Sequence, residues 1–434
     1  MTSKTRHLRR GRRGFTLVEL MVSLVAGVII AIAVVGLART ATNSFHEEIR
    51  MSTVEMALRS ASERLRGDLS RAGYMSTGNI RWDPSCAARR NENCSRYGAS
   101  TNEIATVWLR RGLSRANSGA FGSEGTFTLA TKNGLNPDVI DIWGNLTSSD
   151  SFQAQIIAGN GAICGGQQVR IQTSEDAALT RLLQGTTDNA VATSLVSQAF
   201  TPFAGTYLTR VATVIEGKSQ FIPVCGVTAT ATSATIELQR DAGGTAILSS
   251  VEGGANEQEY VAINPVSRVR WYIGPNTNAA LAPDPQIEAA ANKFNLYRAT
   301  INAGGGVANT ELVAENTIDL KFGVIAHDVY NTDPTKRYVV ADFDDSTNTM
   351  EPWVQTPTTT TNQKEGPQRI RSMRYRLSMR SHLPDRTANL VVAPGPYIAR
   401  YCIDDIALAS CKNFVRVRTF VSEVTIFNQA RSLY

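Results

Sequence analysis

The sequence predicts an α+β protein: a long N-terminal helix, membrane-spanning in its first half, followed by a large antiparallel β-rich head. Three observations carry that prediction. Residues 15–38, FTLVELMVSLVAGVIIAIAVVGLA, hold a single charge, Glu19. Beyond them Val54, Leu58, Ala61, Leu65, Leu69 and Ala72 recur at steps of three and four, the spacing of one helix face. After Gly73 that period stops, and turn residues separate short β-branched runs.

Composition narrows the class. The chain has 434 residues, 42% of them hydrophobic and 19% charged. A disordered chain would be poorer in apolar residues and a multi-span membrane protein far richer. The 44 Lys and Arg against 38 Asp and Glu give a net charge of +6, and a pI near 9.0 invites a nucleic-acid reading. The excess is local. Lys4, Arg6, Arg9, Arg10, Arg12 and Arg13 all fall in residues 1–14, which hold no acid, and 44 − 6 leaves 38 bases against 38 acids. The remainder is formally neutral, which argues against nucleic acid as a partner.

As a helix, residues 15–38 span roughly 36 Å, enough to cross a hydrocarbon core of about 30 Å. The cations just ahead place the N-terminus in the cytoplasm by the positive-inside rule. No small-residue cleavage site follows Ala38 and no proline stands between Phe15 and Tyr74. One helix over residues 15–73 follows, transmembrane over about 15–38, with Gly27, Gly36 and Gly67 as its weak points. Glu19 is the anomaly, since an acid at the bilayer centre costs on the order of 2.5–3.5 kcal/mol and less near the interface. Either it reaches the membrane edge or it meets a cation when helices associate.

The run Arg13-Gly14-Phe15-Thr16-Leu17-Val18-Glu19-Leu20 resembles the prepilin signature of type IV pilins and type II secretion pseudopilins. The resemblance implies that a membrane-embedded prepilin peptidase cuts between Gly14 and Phe15 and then N-methylates Phe15. It implies that Glu19 is the acid used in subunit assembly, its cation being the Phe15 ammonium of a neighbour. Residues 1–14 are then a leader, and the mature chain has 434 − 14 = 420 residues. The implied location is the inner membrane, single-pass with a periplasmic head, before incorporation into the pilus. Implied partners are the prepilin peptidase, other major and minor pilins and the pilus assembly platform.

In the head (residues 74–434), strands are expected at 104–109, 126–131, 139–143, 169–172, 207–215, 235–239, 260–263, 269–273, 296–300, 318–325, 370–380 and 414–427. The clearest is 370–380, where Met373, Tyr375, Leu377 and Met379 alternate with Arg374, Arg376, Ser378 and Arg380. One buried and one wet face are expected there. Residues 276–295, 328–336, 341–367 and 383–396 read as polar loops. The head is either one elaborated unit or a sheet domain with a second β-subdomain near residues 100–250.

All six cysteines, Cys86, Cys94, Cys164, Cys225, Cys402 and Cys411, follow the apolar helix, and in a periplasmic head disulfides persist. Fifteen pairings are open to six cysteines. The spacings favour Cys86–Cys94 and Cys402–Cys411 as local staples, leaving Cys164–Cys225. No pair has zinc-ligand spacing, so no metal or other cofactor is expected. His327 and His382 read as solvated loop residues. The stretch Asp342-Phe343-Asp344-Asp345-Ser346-Thr347-Asn348 resembles the start of a calcium loop, but it lacks the sixth-position glycine and the twelfth-position glutamate, so it reads as a polar loop. Arg369, Arg371, Arg374, Arg376, Arg380, Arg416 and Arg418 would line up as a basic strip if the last two strands pair; an ordinary solvated face is expected. No P-loop, nucleophile elbow, zincin or dinucleotide motif is present, and an enzyme is not expected.

The junction Glu63-Arg64-Leu65-Arg66-Gly67-Asp68-Leu69-Ser70-Arg71-Ala72-Gly73-Tyr74 resembles that of PilW-type minor pilins, R-L-x-x-D-L-x-x-A-G-Y. The later order, Leu296-Tyr297-Arg298, then 318–325, then a strand ending Arg380-Ser381, is similar as well. The resemblance implies a minor pilin in type IV pilus assembly or initiation, near the pilus tip, supporting motility or adhesion. A J-type pseudopilin of type II secretion and a pilin-anchored adhesin or ligand-binding head are the alternatives.

Overall fold

One uninterrupted helix of 54 residues, α1 (Leu17–Ser70), opens the chain and runs for roughly 81 Å. The computed structural model describes residues 16–83, 104–111, 135–146, 150–160, 165–200, 207–213, 218–239, 260–276, 293–301, 306–328, 338–343, 351–354, 365–384, 400–404 and 413–430. Two compact units result, Met1–Thr53 and Val54–Tyr434. Residues 16–53 of the first are helical from Leu17 on, with the apolar side chains from Leu17 to Leu37 exposed, and α1 is long and apolar enough to cross a membrane.

The helix stops at Ser70, three residues short of the expected end. Arg71 and Ala72 donate to the carbonyls of Asp68 and Leu69 (3.2 and 3.1 Å), a tightening to three-residue spacing. Gly73 then takes φ +72°, a left-handed turn natural only to glycine.

The strands are β1 (Val107–Arg110), β2 (Val139–Gly144), β3 (Phe152–Asn160), β4 (Gln167–Gln172), β5 (Tyr207–Thr213), β6 (Ser219–Ala229), β7 (Ser233–Leu238) and β8 (Tyr260–Pro275). They continue with β9 (Phe294–Ile301), β10 (Val307–Ala314), β11 (Thr317–His327), β12 (Tyr338–Ala341), β13 (Ile370–Arg380), β14 (Arg400–Cys402) and β15 (Phe414–Thr425). Short helices are α2 (Ala177–Leu183), α3 (Asn189–Phe200), α4 (Glu351–Val354) and α5 (Phe427–Ala430). Every described pairing between strands is antiparallel. The long helix followed by an antiparallel β-rich region is the predicted fold class.

β8 organises the first half of the head. Its N-terminal part pairs with β3 on one side and β5 on the other, and β3, β4, β7, β6 and β5 pair in succession. Six strands therefore close into a barrel. Phe152, Ile156, Val169, Val211, Ile236 and Ile263 fill it, together with Leu179 of α2 and Val196 and Phe200 of α3. The C-terminal part of β8 leaves the barrel and becomes the middle strand of an open sheet ordered β1-β2-β8-β9-β10. Sequence reading divided β8 at Asn264-Pro265. The strand continues through Pro265, which faces Thr209 of β5 on one edge, while on the other edge it falls between the end of β3 pairing at Ile263 and the start of β2 pairing at Ser267.

A second sheet is ordered β12-β11-β13-β15-β14. The predicted stripe of α1, Val54, Leu58, Ala61, Leu65, Leu69 and Ala72, is buried in one core with Ile140, Trp271 and Leu296 of the open sheet and Leu320, Phe322, Met373, Tyr375, Leu377 and Val424 of the second. The Asn428 side-chain amide donates to the Ala72 carbonyl (3.1 Å).

β13 corrects an expectation. Its alternate face is not wet: Arg376, Ser378 and Arg380 are buried. Arg376 pairs with Asp319 (3.0 Å) and Arg380 sits 5.7 Å from the Tyr401 ring centre. The long arginine stems are covered and their heads matched, so polarity alone misread the face.

Burial pushes the Asp319 carboxyl up to about 6, against the lowering influence of Arg376 and Lys321, while Asp138 adds to the rise. Between pH 4 and 6 the folded head then holds a proton that the unfolded chain has lost. Its contribution to stability therefore falls as pH rises through that window, by on the order of 1–3 kcal/mol. Asp319→Asn is expected to flatten this slope. Parallel melting curves of both proteins from pH 4 to pH 7 test it, and identical slopes would refute it.

Candidate functional site

The first turn of α1 is built around Glu19. Thr16 N–H donates to Glu19 Oε2 (3.0 Å), and the Thr16 hydroxyl donates to the same oxygen (3.1 Å). In return Glu19 N–H donates to Thr16 Oγ1 (3.2 Å). This is a reciprocal capping box. It places a carboxylate where the helix dipole is positive and where backbone donors lack partners. The T-x-x-E spacing announces it in the sequence, but the membrane edge and a neighbouring cation are the only partners expected for Glu19 from the sequence. Gly14 and Phe15 lie outside the described residues.

Behind the cap, Leu17, Val18, Met21, Val25, Ile29, Ile32 and Val35 are exposed. Such a surface is unsuited to water and suited to lipid or to other apolar helices.

The second constellation lies within the head, where residues 63–74 leave the helix. Asp68 is buried and accepts from the Trp271 indole N–H (2.8 Å) on β8 and from Arg298 Nε (2.7 Å) on β9. Arg64 pairs with Glu311 of β10, and Leu65, Leu69 and Ala72 are fully buried. Gly73 N–H donates to the Trp143 carbonyl (2.7 Å). A Cβ on Gly144 would stand 2.6 Å from the Arg71 carbonyl oxygen, so the chain passes β2 at a distance only glycine permits. Each named position of R-L-x-x-D-L-x-x-A-G thus has a packing or bonding reason. Arg64 and Asp68 grip, the leucines and Ala72 fill, and Gly73 turns. The roles of Trp271 and of the Arg298 side chain had no signal of their own in the sequence.

The other candidates disperse. β13 and β15 do pair, yet the arginines form no free cationic strip. Arg376 is matched by Asp319, Arg418 by Glu55 (3.1 Å) and Arg374 by Asp342 (3.5 Å), while Arg369 and Arg380 are buried. His327 is not in a loop but ends β11, its ring 5.5 Å from that of Tyr338; His382 is exposed. Asp342 accepts from Phe343 N–H (2.9 Å), and the rest of the calcium-like stretch lies outside the described residues. Among the described residues no cluster of three or more potential metal ligands occurs. Cys225 lies on β6 and Cys402 on β14, and neither is a free thiol. Cys86, Cys94, Cys164 and Cys411 lie outside the described residues.

Residues 9–36 match the prokaryotic N-terminal methylation motif. With the apolar helix behind it, that match supports a type IV pilin-like or pseudopilin-like protein, and the proteins that carry this motif are a structural family. No curated protein and no solved structure matches the chain.

Proposed function

We propose that this protein is a PilW-like minor pilin that takes part in type IV pilus assembly or initiation near the pilus tip. The observation that carries the proposal is the combination of the matched motif with an α1 whose apolar N-terminal half is exposed and whose first turn holds a carboxylate. In this reading the prepilin peptidase cuts between Gly14 and Phe15 and methylates Phe15. The subunit waits in the inner membrane with its head in the periplasm and then leaves lipid for a bundle of pilin helices.

The capping box fits both stages. Cleavage before Phe15 leaves Thr16 N–H a peptide donor, so the cap survives processing and Glu19 is locally satisfied in the membrane. On assembly a neighbour's Phe15 ammonium is a stronger partner than an amide. That exchange sets axial register, as a lone polar pair does in a coiled coil. A head of this size resists burial in a repeating shaft, which favours a tip position. The test is to crosslink pili, purify the protein and sequence its N-terminal peptide and its partners. An N-methyl-Phe15 terminus with pilins as neighbours is expected. Type II secretion components as neighbours would establish the pseudopilin reading instead.

For the head we propose the pairs Cys86–Cys94, Cys164–Cys225 and Cys402–Cys411. Non-reducing peptide mapping is expected to return these three crosslinks, and any exchanged pair would overturn the assignment.

A further inference from the structure

One cluster of ionisable side chains plays no part in the function proposed above. Lys321 of β11 places Nζ 3.0 Å from Asp138 Oδ1, and Asp138, just before β2, is fully buried. The other carboxylate oxygen, Oδ2, accepts the backbone N–H of Phe322 (3.0 Å), and Asp138 N–H donates to the Leu320 carbonyl (2.7 Å). Asp138 is thus clasped to three successive residues of β11, with carboxyl and amine fixed against each other. Two residues before Lys321, and so on the same strand face, lies a second buried carboxyl, Asp319. Its Oδ2 is held by Arg376 (3.0 Å), while its Oδ1 is buried with no partner among the described residues. The charges of both Lys321 and Asp138 act on it.

We propose that Lys321 and Asp138 are the two halves of an intramolecular isopeptide bond, with Asp319 as the proton carrier for its formation. A buried ammonium–carboxylate pair is costly and can discharge by proton transfer along its own hydrogen bond, leaving an amine and a carboxylic acid. The Nζ lone pair then attacks Cγ of Asp138. Negative charge collects on Oδ2, where the Phe322 N–H already points. Asp319 takes one proton from Nζ and passes it to the departing Oδ1 hydroxyl. The Nζ–Cγ bond forms, the Cγ–Oδ1 bond breaks, and one water leaves with no change of oxidation state. Fixed proximity supplies what two free side chains in water lack. Asp319, held near neutral by its burial, is suited to move a proton both ways. The product would staple the segment before β2 to β11, joining the open sheet covalently to the second sheet.

The head contains its own control. Lys293 Nζ lies 2.6 Å from Glu315 Oε2, but Glu315 is 37% exposed, and no second carboxyl is placed beside that pair among the described contacts. It should remain an ion pair.

The proposal is independent of the assembly role and is tested on the full chain by tandem mass spectrometry of tryptic digests. A branched peptide joining Lys321 to Asp138 is expected, lighter by one water than its two parts, with Lys293 and Glu315 in linear peptides. Lys321→Arg should abolish the branch while keeping the ion pair, so that the protein still folds. Asp319→Asn should slow its formation at least about a hundredfold. Only linear peptides from folded wild-type protein would overturn the crosslink. Undiminished branching in Asp319→Asn would overturn the proton-carrier role.

Discussion

Asp68→Ala is expected to be the most damaging single substitution in the unit Val54–Tyr434, lowering stability by about 3–5 kcal/mol. The carboxylate is the acceptor for the Trp271 indole and for two nitrogens of Arg298, at 2.8, 2.7 and 3.3 Å. Alanine leaves a buried N–H and a largely buried guanidinium with nothing to accept their hydrogens, and an orphaned buried donor carries its whole desolvation penalty. The substitution also faces the core that holds the stripe from Val54 to Ala72. Asp68→Asn keeps an oxygen but not the charge and should lose about half as much. Trp271→Phe removes the indole N–H and also shrinks a fully buried ring system, so its loss exceeds the about 1 kcal/mol of the hydrogen bond alone. Urea unfolding of the detergent-solubilised chain, followed by tryptophan fluorescence, gives all three values. An unchanged midpoint in Asp68→Ala would mean that the junction residues contribute nothing to holding the head.

Glu19→Ala is expected to leave processing and membrane insertion intact while reducing incorporation into pili at least about tenfold, since a neighbour's ammonium would enter an apolar bundle unpaired. Two roles of Glu19 have to be separated, because alanine also removes the cap, worth about 1 kcal/mol of helix. Thr16→Val does so. It deletes the hydroxyl that Glu19 N–H donates to but spares the carboxylate, so it should fray the first turn without abolishing incorporation. Quantifying the protein in sheared pili, against the membrane fraction, distinguishes the two. Normal incorporation of Glu19→Ala would remove Glu19 from assembly altogether.

What could be read from the chain depended on whether the physics was local. The α1 stripe was legible because a helix repeats its burial every three or four residues, and all six predicted positions are buried. β13 was legible as a strand but not as a doubly covered one, because what covers Arg376 and Arg380 comes from β11 and from β14. β6 is absent from the expected strands; it holds Pro223 and Gly226 within an ordered pairing whose register shifts between Val224 and Gly226. The barrel left no trace, since its closure depends on β8 pairing on both edges at once. At the candidate site the motif displayed Glu19, and the T-x-x-E spacing would have displayed its cap. The partners of Asp68 lie 203 and 230 residues away, beyond any reading of local pattern.

The core around α1 is completed by the last strand described. β15 lies inside its sheet, between β13 and β14, and Val424 and Ile426 join the same cluster as Val54 and Leu58. A chain emerging from its N-terminus therefore presents the apolar stripe of α1 long before the residues that cover it exist. The barrel can close once β8 has appeared, but the second sheet must wait for β15. Folding of this head is thus closed by its end, not built outward from its start, and the stripe needs a temporary cover during that interval. The side chain of Asn428, reaching the carbonyl of Ala72, marks where the late-arriving end of the chain is received.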